Sequence, residues 1–406
     1  MNAAIHSLRA ASTGPAVRAG APPALEQQSP KWRVVLAAPY YGTDEIEAVA
    51  DVLRDGWVSI GPRVEAFETL CAQRLGVDTA VAVSSGTAAL HLAALALGLG
   101  VGDEVIVPAT TFVATAAAFA ICGATPVFAD GDPGSPFPSP ERIESLITKR
   151  TAAIVTVHYA GFDAGVATLR AIADRAGIAL IEDAAHAPFA QTSNGSLGTI
   201  GDIGCYSFFA TKNVSVGEGG LVVCRDSQIA RRVRSLRAHC MTTSSWDHHN
   251  GRPSHYDVTG VGLNYRPTEI AAAIGLAQVG RFGADLAARR AIAAQYVDAL
   301  GNQDFDSRVE TLTPNWDARG VHHIFPVLLK SQTERDDAQT RLRQAGIQSS
   351  VHYRPVHRFR HYRETYGELH LPNAEDFGAR QLTLPLHAQM SSLDAAFVVE
   401  SLIQER

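Results

Sequence analysis

Short apolar runs alternate with segments of helical periodicity along most of the chain after Val34. The first runs are TAVAVSS, DEVIVPA and TPVFAD, with helical patterns that begin at Thr87 and span about 114–121 between them. Four more runs continue the alternation, with a helical pattern at about 166–176 after the first of them: AAIVTVHYA, IALIEDAA, GCYSFF and GLVVCR. Such runs are typical of buried strands. Their alternation with helices predicts β-α-β units around one mostly parallel sheet.

The pattern changes after Glu269, where a long helical and charged segment begins. A smaller unit follows, with the strand-like run HIFPVLL, a helix over 334–345 and a last helix after Leu393. A chain of 406 residues is too long for one ordinary core. We therefore expect a large α/β domain over 33–281 and a smaller C-terminal α+β domain over 282–406. The Ala-, Pro- and Ser-rich residues 1–32 are interpreted as a disordered arm.

Composition excludes several classes of function. The net charge of -6 gives no basic field that would attract nucleic acid. The five cysteines are scattered and contain no C-x-x-C pair, which argues against a disulfide framework and a structural zinc site and favours a reducing cytoplasm. The most apolar stretch, about 88–99, is interrupted by His91 and flanked by Ser and Gly, so we expect a buried helix and no membrane span. No metal site is predicted.

A candidate anion site lies in the segment SSGTAA, which begins at Ser84 between a strand-like run and an apolar helix. The unpaired N–H groups and the dipole of a helix start attract phosphate. Taken alone, the same residues also fit an ordinary turn with Ser or Thr as the helix cap.

A carboxylate and a lysine follow two other strand-like runs. Asp183 closes IALIED, and Lys212 follows GCYSFFA within SFFATKN. Ligands of open α/β sheets bind at the carboxyl ends of the strands, so the two side chains can meet there. A lysine amine forms a Schiff base, and a carboxylate holds a pyridine nitrogen protonated so that the ring accepts carbanion electrons. The pair predicts a site for pyridoxal 5′-phosphate (PLP).

From about Val34 to its end the chain resembles the DegT/DnrJ/EryC1/StrS family of PLP-dependent sugar aminotransferases. Seven stretches carry the resemblance in order: WVSIGPRVEAFE, SSGTAALHLA, VPATTFVATAAA, IEDAAHA, SFFATKN with GEGG, GLNYRPTEIAAAIG and HYRPVH. The resemblance implies an aspartate-aminotransferase-like α/β fold (fold type I).

The resemblance also assigns residues to the cofactor. Lys212 would form the Schiff base and move the proton between cofactor and substrate carbons, and Asp183 would pair with the pyridine nitrogen. Phe112 would stack on the ring, and His186 would contact the ring hydroxyl. The phosphate would be bound by Gly86, Thr87 and Ser207.

Other matches lie farther from the ring. Asn264 would reach the phosphate of the neighbouring subunit's cofactor, which implies a homodimer with shared active sites. Four residues would line the substrate mouth: Trp57, Ser59, Tyr353 and His357.

The implied reaction is a two-stage transamination in which an amino acid, with glutamate as the expected donor, aminates the cofactor, which then aminates a keto sugar. The acceptor would be nucleotide-linked, with an inosose-type keto-cyclitol as the alternative. Lys212 argues against the sugar dehydratases of the family, in which a histidine replaces the lysine. A PLP-binding regulator would need a DNA-binding module, and a nicotinamide oxidoreductase a glycine fingerprint, neither of which is present.

Overall fold

A computed structural model describes residues 32–243, 246, 249–251, 255–301, 309–311 and 320–403. The predicted arm over 1–32 lies outside the described residues, apart from Trp32.

A seven-stranded sheet forms the centre of the fold. Its strands and those of a small two-stranded hairpin are β1 (Ala80–Val83), β2 (Glu104–Pro108), β3 (Thr125–Ala129), β4 (Thr151–Val157), β5 (Ala179–Asp183), β6 (Gln191–Thr192), β7 (Gly195–Ser196), β8 (Ile203–Ser207) and β9 (Gly220–Cys224). β6 and β7 form the hairpin, and the strand order in the large sheet is β1-β9-β8-β5-β4-β2-β3. All seven apolar runs are strands of this sheet, as predicted. Only β9 runs antiparallel to its neighbours among these seven strands, so the sheet is mostly parallel.

Helices cover both faces of the sheet and bury its apolar side chains. Those up to β9 and its following helix are α1 (Thr43–Asp55), α2 (Pro62–Leu75), α3 (Gly86–Leu97), α4 (Ala114–Ile121), α5 (Pro140–Ser145), α6 (Val166–Ala176) and α7 (Ser227–Leu236). The apolar helix α3 begins where the Ser85 side chain accepts the N–H of Ala88, and it ends at Gly98 in the left-handed region, φ 74°. This cap fixes the start of α3 at the end of β1.

One long helix, α8 (Glu269–Gly301), serves two cores. Val279 and Phe282 pack into the core beside the large sheet. Ile292 and Tyr296 pack into a second core with a three-stranded antiparallel sheet. The remaining elements are β10 (Val309–Thr311), β11 (Phe325–Leu329), α9 (Gln332–Gln344), α10 (Arg360–Tyr366), α11 (Pro372–Arg380), β12 (Gln381–Leu384) and α12 (Ser392–Ile403). The predicted boundary at 281/282 falls inside α8, and the division into two domains there stays a prediction.

Among the residues that the structure describes, α8 is the one helix long and apolar enough, by length and composition, to cross a membrane. It packs against α1, α2 and α12. Its Arg281 pairs with Glu45 at 2.6 Å, and its Arg289 donates to the Leu386 carbonyl at 2.9 Å. Core helices of globular proteins pass the same test, so this is weak evidence for a membrane span.

Candidate active site

A cavity of about 390 Å³ lies between the start of α3 and the carboxyl ends of β5 and β8. β5 and β8 are parallel neighbours, with Asp183 opposite Cys205 in the register. Eight of the predicted site residues line this cavity: Gly86, Thr87, Phe112, Asp183, His186, Ser207, Lys212 and Tyr353. Its volume is within the range of small-molecule and cofactor sites.

Lys212 lies in the loop after β8, where its backbone N–H donates to the Phe209 carbonyl at 2.9 Å. Its Nζ is 3.4 Å from Nε2 of His323. Desolvation in the cavity lowers the pKa of Lys212 to about 8, and the nearby charge of Asp183 opposes that shift. Much of the amine is therefore neutral at mildly basic pH, the form in which it is a nucleophile.

Asp183 is buried at the carboxyl end of β5, with 5% of its surface exposed. Its Oδ2 accepts from the Thr115 hydroxyl at 2.7 Å, and its Oδ1 accepts from the N–H of Ala185 at 3.1 Å. Burial raises the pKa of this carboxyl, while those hydrogen bonds and the Lys212 charge lower it. The two bonds fix the direction in which the carboxylate faces the cavity.

Thr115 was missed by the sequence reasoning. It is the one hydroxyl residue in the helix sequence ATAAAFAI, and it is fully buried. A single buried hydroxyl needs a hydrogen-bond partner. That contrast within an otherwise apolar helix was the available signal.

The helix start at Ser85 meets the end of β8 in close contact. A Cβ added to Gly86 would lie 2.8 Å from Cβ of Ser207, and one added to Gly220 would lie 2.4 Å from the Ser85 carbonyl oxygen. The first-turn N–H groups of a helix have no partner within the helix. Those of Gly86 and Thr87 therefore give the cavity an anion-binding corner beside the Ser207 hydroxyl.

His186 also lines this cavity. Its Nδ1 accepts the N–H of Ala160 at 3.2 Å, and its Nε2 is 3.0 Å from the Tyr353 hydroxyl. Burial and the Lys212 charge hold the pKa of His186 well below its usual value. The ring is therefore neutral, with its proton on Nε2. Phe112, which also lines the cavity, is 55% exposed, and its ring centroid is 5.9 Å from that of Tyr353.

Three predicted residues lie apart from this cavity in the same chain. The Trp57 indole donates to the Ile60 carbonyl at 2.9 Å, and its ring is 4.6 Å from the His249 ring. Ser59 is in the same loop. Asn264 is exposed and forms a β-bridge with Ala238. Their roles at a substrate mouth or a partner's cofactor stay predictions.

His357 also lies away from the cavity. It is 2% exposed, and its Nε2 is 3.1 Å from Glu375 Oε1 on α11. The short 3₁₀ turn Val356–Arg358 follows Pro355 and directs the histidine to α11, while Tyr353 faces the cavity. His357 therefore faces α11 and not this cavity, and its role at a substrate mouth stays a prediction.

His323 contacts the site although it was not among the predicted site residues. It is 7% exposed and reaches Lys212 from the segment before β11. The paired histidines before a buried strand were the signal in the sequence, but the pair alone does not tell which ring faces a ligand.

Comparison with known proteins agrees with this geometry. The model of the DegT/DnrJ/EryC1/StrS aminotransferase family matches residues 39–403. The aminotransferase TlmJ from Streptoalloteichus hindustanus is 32% identical, with 91% of this chain and 98% of that chain covered and a TM-score of 0.84. PseC from Helicobacter pylori, an aminotransferase involved in the biosynthesis of pseudoaminic acid, is 27% identical, with 91% and 98% covered and a TM-score of 0.84. Spr1654 from Streptococcus pneumoniae, solved in its PLP form, is 27% identical, with 91% and 97% covered and a TM-score of 0.84.

Proposed function

The chain belongs to the DegT/DnrJ/EryC1/StrS family of PLP-dependent aminotransferases, and on that premise we propose that Lys212 and Asp183 are its catalytic pair. The observation that carries the proposal is their meeting in one cavity with an anion-binding corner. The fold is that of the family's aminotransferases, as expected from the sequence.

The described residues fit PLP. The cavity holds an amine, a buried carboxylate whose direction is fixed by two hydrogen bonds, and a helix start that needs Gly86. These groups suit the aldehyde, the ring nitrogen and the phosphate of the cofactor. When bound, PLP supplies an electron sink for the carbanion that forms at the substrate carbon.

Binding of the cofactor and movement of protons would be the task of this chain's own residues. Lys212 Nζ would hold the cofactor covalently and, as a free amine, would move a proton at the substrate carbon. Asp183 would keep the ring nitrogen protonated, which requires the carboxylate to be ionised in spite of its burial. The neutral His186 would offer its Nε2–H to the ring hydroxyl. Gly86, Thr87 and Ser207 would bind the phosphate, and Phe112 would cover the ring.

For the substrates, we propose glutamate as the amino donor and a nucleotide-linked keto sugar as the acceptor. Family membership supports a sugar acceptor and a small-molecule amino donor. The keto-cyclitol alternative stays open because it presents a similar polyhydroxylated ring. A homodimer with shared sites is supported by Asn264, which is exposed and away from its own chain's cavity.

The first test is the visible absorption spectrum of the purified protein, with and without glutamate. We expect a band of covalently bound PLP that fades when glutamate is added and is absent in Lys212→Ala. Lys149→Ala, at an exposed lysine, is the matched control and should keep the band. No band in the wild-type protein reconstituted with PLP would overturn the assignment of Lys212.

The acceptor is tested with the protein already converted by glutamate. A nucleotide-linked keto sugar and an inosose-type ketone are offered separately, and the return of the visible band is followed. Return of the band with the sugar alone would support the proposal. Return of the band with the cyclitol alone would identify the keto-cyclitol as the acceptor. Product inhibition patterns should be those of ping-pong kinetics.

A further inference from the structure

We propose that His323, held in one tautomer by Asn213, accepts a hydrogen bond from Lys212 and turns the lone pair of the amine toward the cavity. This role rests on the proposed function of Lys212 as the cofactor-binding amine. The proposal gives a role to Asn213 and His323, two residues to which the family resemblance assigned none.

The tautomer follows from the hydrogen bonds of Asn213. The amide nitrogen Nδ2 of Asn213 donates to the Val321 carbonyl at 2.7 Å, so its Oδ1 is left as an acceptor. That oxygen is 3.0 Å from Nδ1 of His323, which must therefore carry the proton. Nε2 of His323 keeps its lone pair, and it is this atom that lies 3.4 Å from Lys212 Nζ.

The backbone before β11 is arranged to hold His323 in this place. His322 is in the left-handed region, φ 45°, which is uncommon for a residue other than glycine. The N–H of His323 donates to the Ala160 carbonyl at 2.9 Å. A Cβ on Gly161 would lie 2.5 Å from a methyl of Val321, so the close approach of the two segments depends on that glycine.

The histidine ring next to His323 is also held in one tautomer. His186 lies 4.3 Å from His323, centroid to centroid, and carries its proton on Nε2 because its Nδ1 accepts from Ala160. The two rings thus have opposite tautomers. His186 presents a donor to the cavity, and His323 presents an acceptor to the amine.

Charge in the cavity favours a neutral His323. Burial and the positive charge of Lys212 hold its pKa well below the usual value, with smaller effects from His186, Arg289 and His352. The nearby anion Asp183 raises the pKa of Lys212 and so stabilises its ammonium form. At neutral pH His323 is therefore an acceptor, whereas a protonated ring would repel the ammonium.

The tautomers are read by long-range ¹H–¹⁵N correlation spectra of the apoprotein labelled at histidine, with His323→Gln and His186→Gln used to assign the two rings. We expect the Nδ1–H form for His323 and the Nε2–H form for His186. Asn213→Leu should remove the preference at His323 and leave His186 unchanged. An Nε2–H tautomer of His323 in the wild-type apoprotein would overturn the proposal, whether or not PLP binds.

The catalytic consequence is measured as a split between kcat and KM. His323→Leu should lower kcat by about a hundredfold, the size of effect seen when a reacting group is displaced slightly, with KM for glutamate nearly unchanged. His323→Gln, whose amide oxygen can accept, should recover part of that loss. A wild-type kcat in His323→Leu would contradict the positioning role. The visible band of covalently bound PLP in the same variant would show that Lys212 still binds PLP.

A further variant, Asn213→Asp, separates positioning from simple packing. Asn213→Asp keeps an acceptor for Nδ1–H, but its charge favours protonated His323 and raises that pKa. The acid limb of the pH profile of kcat should therefore move to higher pH. If Asn213→Asp only lowers kcat equally at all pH values, the side chain at position 213 acts through packing and the proposal fails.

Discussion

The cavity residues and the loop residues of this chain differ in how they are held. Asp183 is the last residue of β5, and Lys212 lies in the short loop after the parallel neighbour β8, so the sheet register brings both residues to the same edge of the sheet. Trp57, Ser59 and Asn264 lie in surface segments apart from the cavity. Strand ends give a rigid constellation, whereas loops vary in sequence and position. The contrast indicates that the sheet positions the amine and the carboxylate of the cavity, while the residues predicted for the substrate mouth and for a partner's cofactor lie on surface segments.

The largest effect should come from removing the nucleophile while keeping the positive charge. Lys212→Arg has a guanidinium that stays protonated and does not form the covalent link to the cofactor. We expect kcat for transamination to fall by about a thousandfold or more, as when a covalent nucleophile is lost. Lys149→Arg is the control and should leave kcat unchanged. Activity near wild type in Lys212→Arg would place the chemistry elsewhere.

The next effect tests the carboxylate. Asp183→Asn keeps the size of the side chain but removes the charge that holds the ring nitrogen protonated. Loss of a preorganised electrostatic partner predicts a fall in kcat of about 10²–10³-fold. Thr115→Val removes only one hydrogen bond to Asp183 and should cost about tenfold or less. Equal losses in the two variants, measured by steady-state kinetics, would contradict the separate roles.

Part of this inner site could be predicted from the sequence because apolar runs locate the strands and their carboxyl ends. The seven strands and a Ser or Thr cap at the start of the following helix follow from local pattern, and the expectation that Asp183 and Lys212 can meet follows from where open α/β sheets bind ligands. His323 and Thr115 did not, because their roles depend on contacts across about 70 to 110 residues of chain. The direction of His357 could not be predicted either, because a 3₁₀ turn, whose direction the motif does not specify, points it toward Glu375.

A smaller effect is expected at the phosphate corner. Gly86→Ala would place a methyl group 2.8 Å from Cβ of Ser207 and push the helix start away from β8. We expect PLP to bind the apoprotein about ten- to a hundredfold more weakly, since each 1.4 kcal/mol of lost contact is tenfold in affinity. The double variant Gly86→Ala with Ser207→Gly should recover part of the affinity lost by displacement. Gly280→Ala, with no atom within 4 Å of the added Cβ, is the control.

The smallest effect tests whether the loop residues serve a partner. Asn264→Ala should weaken PLP binding by about tenfold, the cost of one lost hydrogen bond to a charged group. In mixed dimers with Lys212→Ala, a shared site pairs the intact Lys212 of one chain with the intact Asn264 of the other. The mixture should therefore contain sites of wild-type affinity, measured by PLP titration. Affinities that stay at the Asn264→Ala value would show that each chain completes its own site.

Because α8 is one continuous helix, the number of residues between its two core-facing segments fixes the direction in which the side chains of each segment point. Successive helical residues turn by about 100° and rise by 1.5 Å. Insertion of one residue between Phe282 and Arg289 would therefore rotate Ile292 and Tyr296 off the second core while leaving Val279 in the first. Insertion of a full helical turn would nearly restore the direction of these side chains but would lengthen the distance along α8 between its two core-facing segments. For that reason the halves of α8 cannot be exchanged between relatives at an arbitrary point, and a recombinant chain has to preserve the helical count across this segment.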